Sequence, residues 1–225
     1  MNLDEVMKRL RGLADPASVA GMAGYGIVGQ VLGVKIPQMR RLAKEIGRDR
    51  DLAAQLWAEG FRETRIVASM IDDPKALTEE QMEEWAAGFD SWEVCDQVVM
   101  NLFEKHPLAW TKAVEWSGRG EEFVKRAGFV LVARLAVSDK KAADEKFWPF
   151  FDLIEREADD GRNYVKKAVN WALRQMGKRN QNLNARAIET ARRLAGRESA
   201  SARWIASDAL RELESEAVRA RLKSK

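Results

Sequence analysis

Cysteine and histidine are almost missing from this chain of 225 residues, which has one of each, Cys95 and His106. A single cysteine excludes an internal disulfide, and the pair cannot assemble the usual zinc-ligand sets, so no zinc site is expected; no other metal and no cofactor is predicted. Proline is sparse, at five residues, and no Gly/Ser/Pro-rich linker interrupts the chain, so one domain over 1–225 is expected. No apolar run approaches the roughly 20 residues that span a bilayer, and the N-terminal MNLDEVMKRLRGL has no long apolar stretch. A cytoplasmic protein without a membrane partner is therefore predicted. Period-two alternation is missing as well, which argues against a sheet-based nucleotide fold.

What is present is helical. Hydrophobic residues make up 46% of the chain and charged residues 32%, enough for a sizeable core with a solvated exterior. Apolar positions recur three and four apart, predicting helices over 2–14, 36–47, 50–59, 62–72, 78–88, 91–105, 107–117, 121–137, 143–157, 162–177, 182–196 and 200–213. The breaks between them, such as Asp72-Asp73-Pro74 and His106-Pro107, are too short for anything but neighbouring antiparallel helices. Paired helices at a spacing near 40 residues predict an all-α, right-handed α-solenoid of HEAT-like pairs. Charge is uneven along it: residues 161–225 carry 16 Lys/Arg against 6 Asp/Glu, and residues 1–160 carry 22 against 29. The basic third predicts a basic concave face and a polyanion partner, against the plain reading of solvated helix faces.

Four segments carry chemistry. Gly24-Tyr25-Gly26-Ile27-Val28-Gly29 spells GxGxxG, but no strand precedes it. It reads as a flexible connection between the first helices with Tyr25 exposed. Asp90 with Glu93 forms a capping-box-like start that sets Trp92 and Asp96 one turn apart on one face. Asp96 is then an isolated carboxylate among Val94, Val98, Val99 and Leu102, either salt-bridged to a neighbouring helix or functional. The helix Phe123–Leu135 is apolar nearly all round and belongs at the centre of the stack. Its Arg126 has two options, pairing with Asp96 or reaching a phosphate. In 163–177 a core stripe of Val165, Ala168, Val169, Ala172, Leu173 and Met176 stands opposite Lys167, Trp171, Arg174 and Lys178. A tryptophan in line with three cations suits a nucleic-acid backbone, although a tryptophan packed on the next helix gives the same pattern. Gly177 reads as a helix stop, with Lys178 and Arg179 complementing the dipole.

Taken together, the Tyr25 segment leading into Leu32–Arg40, Trp92 with Asp96, the Lys125-Arg126 pair and the run Lys167–Arg174 resemble the AlkD-like DNA alkylation repair family. These are HEAT-like-repeat glycosylases that excise N3- and N7-alkylpurines. The resemblance implies Asp96 as catalytic carboxylate, Trp92 and Trp171 holding the damaged nucleotide, and Arg126 on the backbone beside it. DNA contacts would come from Tyr25, Lys35, Lys125, Lys167, Arg174, Lys178 and Arg179. It further implies duplex DNA containing alkylated bases as partner and no deep base-flipping pocket. A monomer without an obligate protein partner is expected, because one groove per duplex needs no symmetry. The competing reading is a non-catalytic helical-repeat protein that binds DNA or another macromolecule.

Overall fold

The computed structural model describes residues 1–223. Among these residues the chain is helical, with no strand. Its helices run α1 Leu3–Gly12, α2 Pro16–Gly24, α3 Ile36–Ile46, α4 Arg50–Ala58, α5 Arg62–Ile71, α6 Glu79–Ala87 and α7 Trp92–Asn101, then α8 Ala109–Ser117, α9 Glu122–Ser138, α10 Trp148–Glu157, α11 Asn163–Gly177, α12 Gln181–Ala195, α13 Ala200–Leu213 and α14 Glu216–Lys223. Short 3-10 turns at Phe103–Lys105 and Asp144–Phe147 take up parts of two stretches predicted as continuous helix. Two helices, α2 and α14, fall outside the predicted set. Where the sequence suggests a flexible connection around Tyr25, the chain forms a helix followed by an anchored loop.

The helices cluster into two compact units, Met1–His106 and Pro107–Lys225. In the first unit α5 is the centre, packing against α3, α4 and α7. Its apolar residues Ile66, Val67, Ala68 and Ile71 are fully buried, and so is Glu63. Beside it Trp57 stacks on Trp85 with ring centroids 4.2 Å apart and planes 2° from parallel. Phe89 closes edge-on against Trp57 at 6.3 Å. Such aromatic pairs contribute about 0.5–1.5 kcal/mol beyond their area burial.

In the second unit α9 is the centre, buried from Val124 to Ala136 apart from Arg134 and packed against α8 and α11. The sequence explains how closely it packs. Gly128 faces α8, where a Cβ would stand 2.4 Å from the Ser117 amide nitrogen, so no larger residue fits without moving backbone. Gly177 plays a similar part at the end of α11. Its missing Cβ would fall 2.7 Å from Leu213 and 2.8 Å from Ala187. Gly177, predicted to stop the helix, is thus a close-packing residue, the last of its helix, with Lys178 as the C-cap.

Candidate functional site

In the first unit, an uncharged segment and a buried ion network build the site. Residues 16–34 contain no charged side chain. Asp15 caps α2, accepting from the Ala17 and Ser18 amides at 3.1 and 3.3 Å. The Ser18 hydroxyl bond chiefly lowers the pKa of Asp15. Pro16 opens the helix at its first turn, where the missing N–H costs nothing. No residue of α2 is buried. The chain leaves it at Tyr25, which is 73% exposed, and turns through Gly26, Gly29 and Gly33 at φ of 76°, 95° and 82°. Gly33 is doubly required, because a Cβ there would meet the Asp15 carbonyl oxygen at 2.3 Å.

Glu63, on α5, holds this loop. Its carboxylate accepts from the amides of Leu32, Gly33 and Val34 at 2.9, 2.9 and 3.2 Å. The Arg62 guanidinium bonds Glu63 at 2.8 Å and the Val34 carbonyl at 3.0 Å. It also grips Glu93 in a two-pronged pair at 2.7 and 2.9 Å. Burial works to lower the pKa of Arg62, but the bonds and charge of Glu93, followed by those of Glu63, outweigh it and leave the value above ordinary. Sequence reasoning missed Arg62 and Glu63 entirely. The available signal was two adjacent charges opening a helix that is otherwise nearly all core.

Glu93 is therefore not the capping partner of Asp90. The cap of α7 is Ser91, whose hydroxyl accepts from the Val94 amide. From this pinned start the Trp92 indole N–H donates to the Tyr25 carbonyl at 3.0 Å, so Tyr25 and Trp92, 67 residues apart, adjoin. Asp96 follows one turn along α7 with only 7% of its surface exposed, flanked by fully buried Cys95, Val98 and Val99. Tyr25, Trp92 and Asp96 thus belong to one corner of the first unit. Lys35 is exposed at the N-cap of α3.

In the second unit, Lys125 and Arg126 are both buried near the start of α9. Lys125 bonds Glu157 and Asp160 at 2.5 and 3.3 Å, so its ammonium has internal carboxylate partners. The Arg126 guanidinium donates to the Tyr164 carbonyl at 2.7 Å. Asp160 also accepts from Arg162 at 2.5 Å. The Arg162 bond is the leading cause that holds the pKa of Asp160 at about 2.

The stripe on α11 has the expected faces. Val165, Ala168, Val169, Ala172, Leu173 and Met176 are fully buried, while Lys167 is exposed and Trp171, Arg174 and Lys178 are half-buried. What the sequence did not indicate is that α13 supplies counter-charges. Arg174 pairs with Glu212 at 2.7 Å and Asp208 at 3.4 Å, and Lys178 pairs with Glu212 at 2.5 Å. Burial works to raise the pKa of Glu212, and the Lys178 and Arg174 interactions outweigh it, leaving the value lowered. Arg179 donates to the carbonyls of Ala136 and Ala142 at 3.1 and 2.6 Å and lies over the Phe147 ring.

Among the described residues, no group of three or more His, Cys, Asp or Glu is placed to hold a metal ion. No described helix is long and apolar enough to cross a membrane.

The fold matches a solved structure at a TM-score of 0.83 and 23% identity, covering 99% of this chain and 96% of the other, whose description is of a new family of proteins related to the HEAT-like repeat DNA glycosylases with affinity for branched DNA structures. That likeness establishes a HEAT-like helical-repeat fold. A designed armadillo repeat protein in complex with a (KR)4 peptide matches at a TM-score of only 0.39, with 15% identity over 84% of this chain and 80% of that one, and carries no argument. No curated protein matches the sequence. The family model described as DNA alkylation repair enzyme matches residues 6–213. With nearly the whole length matched, the chain belongs to the DNA alkylation repair enzyme family.

Proposed function

We propose that this protein binds duplex DNA and hydrolyses the N-glycosidic bond of cationic N3- and N7-alkylpurines, with Asp96 as the catalytic carboxylate. The observation that carries the reading is the corner at the start of α7, where the Trp92 indole is tied to the Tyr25 carbonyl and Asp96 is buried one turn away. A carboxylate removed from water interacts more strongly with a developing positive charge than one in solvent does.

The chemistry asks little else of the chain. An N3- or N7-alkylated purine already carries positive charge. The glycosidic bond breaks with its electron pair moving onto the base, which leaves neutral, and the sugar becomes an oxocarbenium ion. Asp96 stabilises that cation and orients a water, whose oxygen bonds the anomeric carbon and whose proton passes to the carboxylate and on to solvent. Trp92 favours the cationic nucleotide by cation–π contact, worth about 0.5–2 kcal/mol, and Trp171 offers the DNA an indole face on the second unit. Tyr25 lies beside Trp92 at the protein–DNA contact. Arg126, Lys35, Lys167 and Arg174 serve the phosphates. Arg179 adds positive charge from a position anchored by main-chain carbonyls, and Lys125 and Lys178 contribute by exchanging an internal carboxylate for a phosphate.

The test is release of base from duplex DNA containing N7-methylguanine or N3-methyladenine. Time-dependent release from the alkylated duplexes, with none from an unmodified one, supports the reading. Binding without release from either lesion contradicts it. A second reading has its own support: the matched structure belongs to proteins related to the glycosylases and described by affinity for branched DNA. On that reading the chain recognises DNA shape without cleaving, and a junction would bind more tightly than a linear duplex of equal length.

A further inference from the structure

At the far end of α9 and α11, within the second unit, lies a recess of about 730 Å³ walled by Lys140, Lys178, Arg179 and Arg221, with Asp144 the one carboxylate in its lining. We propose that this recess holds a phosphodiester segment of a nucleic-acid strand outside a duplex, a site additional to the Asp96 corner.

Three observations point there. The lining carries four cations against one carboxylate, an excess of positive charge that persists with Lys178 paired to Glu212, and a concave surface lined by mainly one sign of charge focuses the field on a ligand of opposite sign. Both oxygens of Asp144 accept from amides, Asn180 at 2.7 Å and Asn182 at 3.2 Å, so the carboxylate has neutral donors. Main-chain anchors also hold two of the cations in place. The guanidinium of Arg179 is fixed by the Ala136 and Ala142 carbonyls, and that of Arg221 donates to the Lys178 carbonyl at 2.8 Å. Side chains already ordered lose less entropy when a ligand arrives.

Size and surface choose the occupant. A recess of this volume falls in the range of small-ligand pockets, roughly 300–1,000 Å³, which suits a nucleotide or two and not a duplex. A duplex is stiff over about 150 base pairs and does not fold into a cleft, whereas a single strand turns freely at each phosphate. Val137, 47% exposed, and Ala142 provide an apolar wall for sugars between the cations.

The proposal shares with the glycosylase reading the premise of a nucleic-acid ligand and the cations Lys178 and Arg179, and its test, which changes neither residue, separates the two. Binding of labelled oligothymidylate is titrated over a range of salt for the full chain, for Lys140→Glu, and for Lys140→Ala combined with Arg221→Ala. Lys140 and Arg221 are exposed, and the single variant leaves every anchor intact. The expected result is an affinity loss of about tenfold in the double variant, with a salt slope shallower by roughly 0.7 for each phosphate no longer neutralised. Release of alkylated base by the same variants stays unchanged. Equal affinity and slope in wild type and variants overturn the proposal, as does failure of the wild type to bind the oligomer. Full displacement of the oligomer by millimolar inorganic phosphate overturns the strand as occupant and assigns the recess to a small phosphate. Strand binding lost in the variants of a chain that releases no base from any substrate sustains this site and sinks the glycosylase reading.

Discussion

Two charge networks, one in each unit, work in opposite ways. In the first, Arg62 and Glu63 are almost fully buried with Glu93 close by, and they bind main-chain groups of residues 32–34 and each other. In the second, Arg174, Lys178, Asp208 and Glu212 pair on half-exposed helix faces. A buried network cannot lose one member without stranding another charge out of water, so it holds a shape. A half-exposed one is screened by solvent and adjusts, so its cations can exchange a carboxylate for a phosphate at little cost. The buried network therefore fixes the loop and the start of α7 that frame Asp96, while the half-exposed one leaves the pairs on α11 free to rearrange.

The largest effect expected from that contrast is on Glu63. Glu63→Ala strands Arg62 and leaves three loop amides without their acceptor, and should cost about 3–5 kcal/mol in urea unfolding. A loss under about 1 kcal/mol, the scale of an exposed pair, would break the comparison. Gly128→Ala, whose new Cβ would stand 2.4 Å from the Ser117 amide nitrogen, should cost about 1–3 kcal/mol by overpacking. Unchanged thermal stability would show that α8 and α9 have room to separate.

Asp160 gives a pH signature. Its folded pKa of about 2 lies below the ordinary 3.8. The stability it contributes is complete above the ordinary value and is lost as pH falls from there through about 2. Asp160→Asn should flatten the acid limb of the stability curve over that window, and an identical limb would remove Asp160 from the account. The smallest effect concerns the surface. Glu212→Gln takes a negative charge from between Arg174 and Lys178. Duplex affinity should rise a few-fold, with a salt slope steeper by about 0.9 for each additional phosphate neutralised. An unchanged slope would mean that the stripe on α11 does not meet DNA.

How much of this is legible in the sequence depends on which partner each residue has. Helices α3 to α13 are readable because their apolar stripes repeat with helical period, and the two faces of α11 fall where the spacing puts them. The helix α2 escapes because PASVAGMAG buries nothing and so has no stripe. Its signals are local ones, Asp15 as cap and Pro16 at the first turn. Asp90 resembles part of a cap that Ser91 in fact supplies, since the Glu93 needed to complete it is held by Arg62. Glu63 is invisible because its partners are backbone amides some 30 residues away, which no side-chain pattern records. Asp208 and Glu212 escape for a related reason. The cations of α11 look available when α11 is considered alone, and their counter-charges sit on α13.

The central claim is that Asp96 is the catalytic carboxylate, and single-turnover release of N7-methylguanine by Asp96→Asn, beside the affinity of that variant for the same duplex, tests it most directly. The account predicts release slowed by at least about a hundredfold, the scale on which removing one transition-state-stabilising group acts, with affinity retained or raised. Release at the wild-type rate by a variant that binds normally would contradict it.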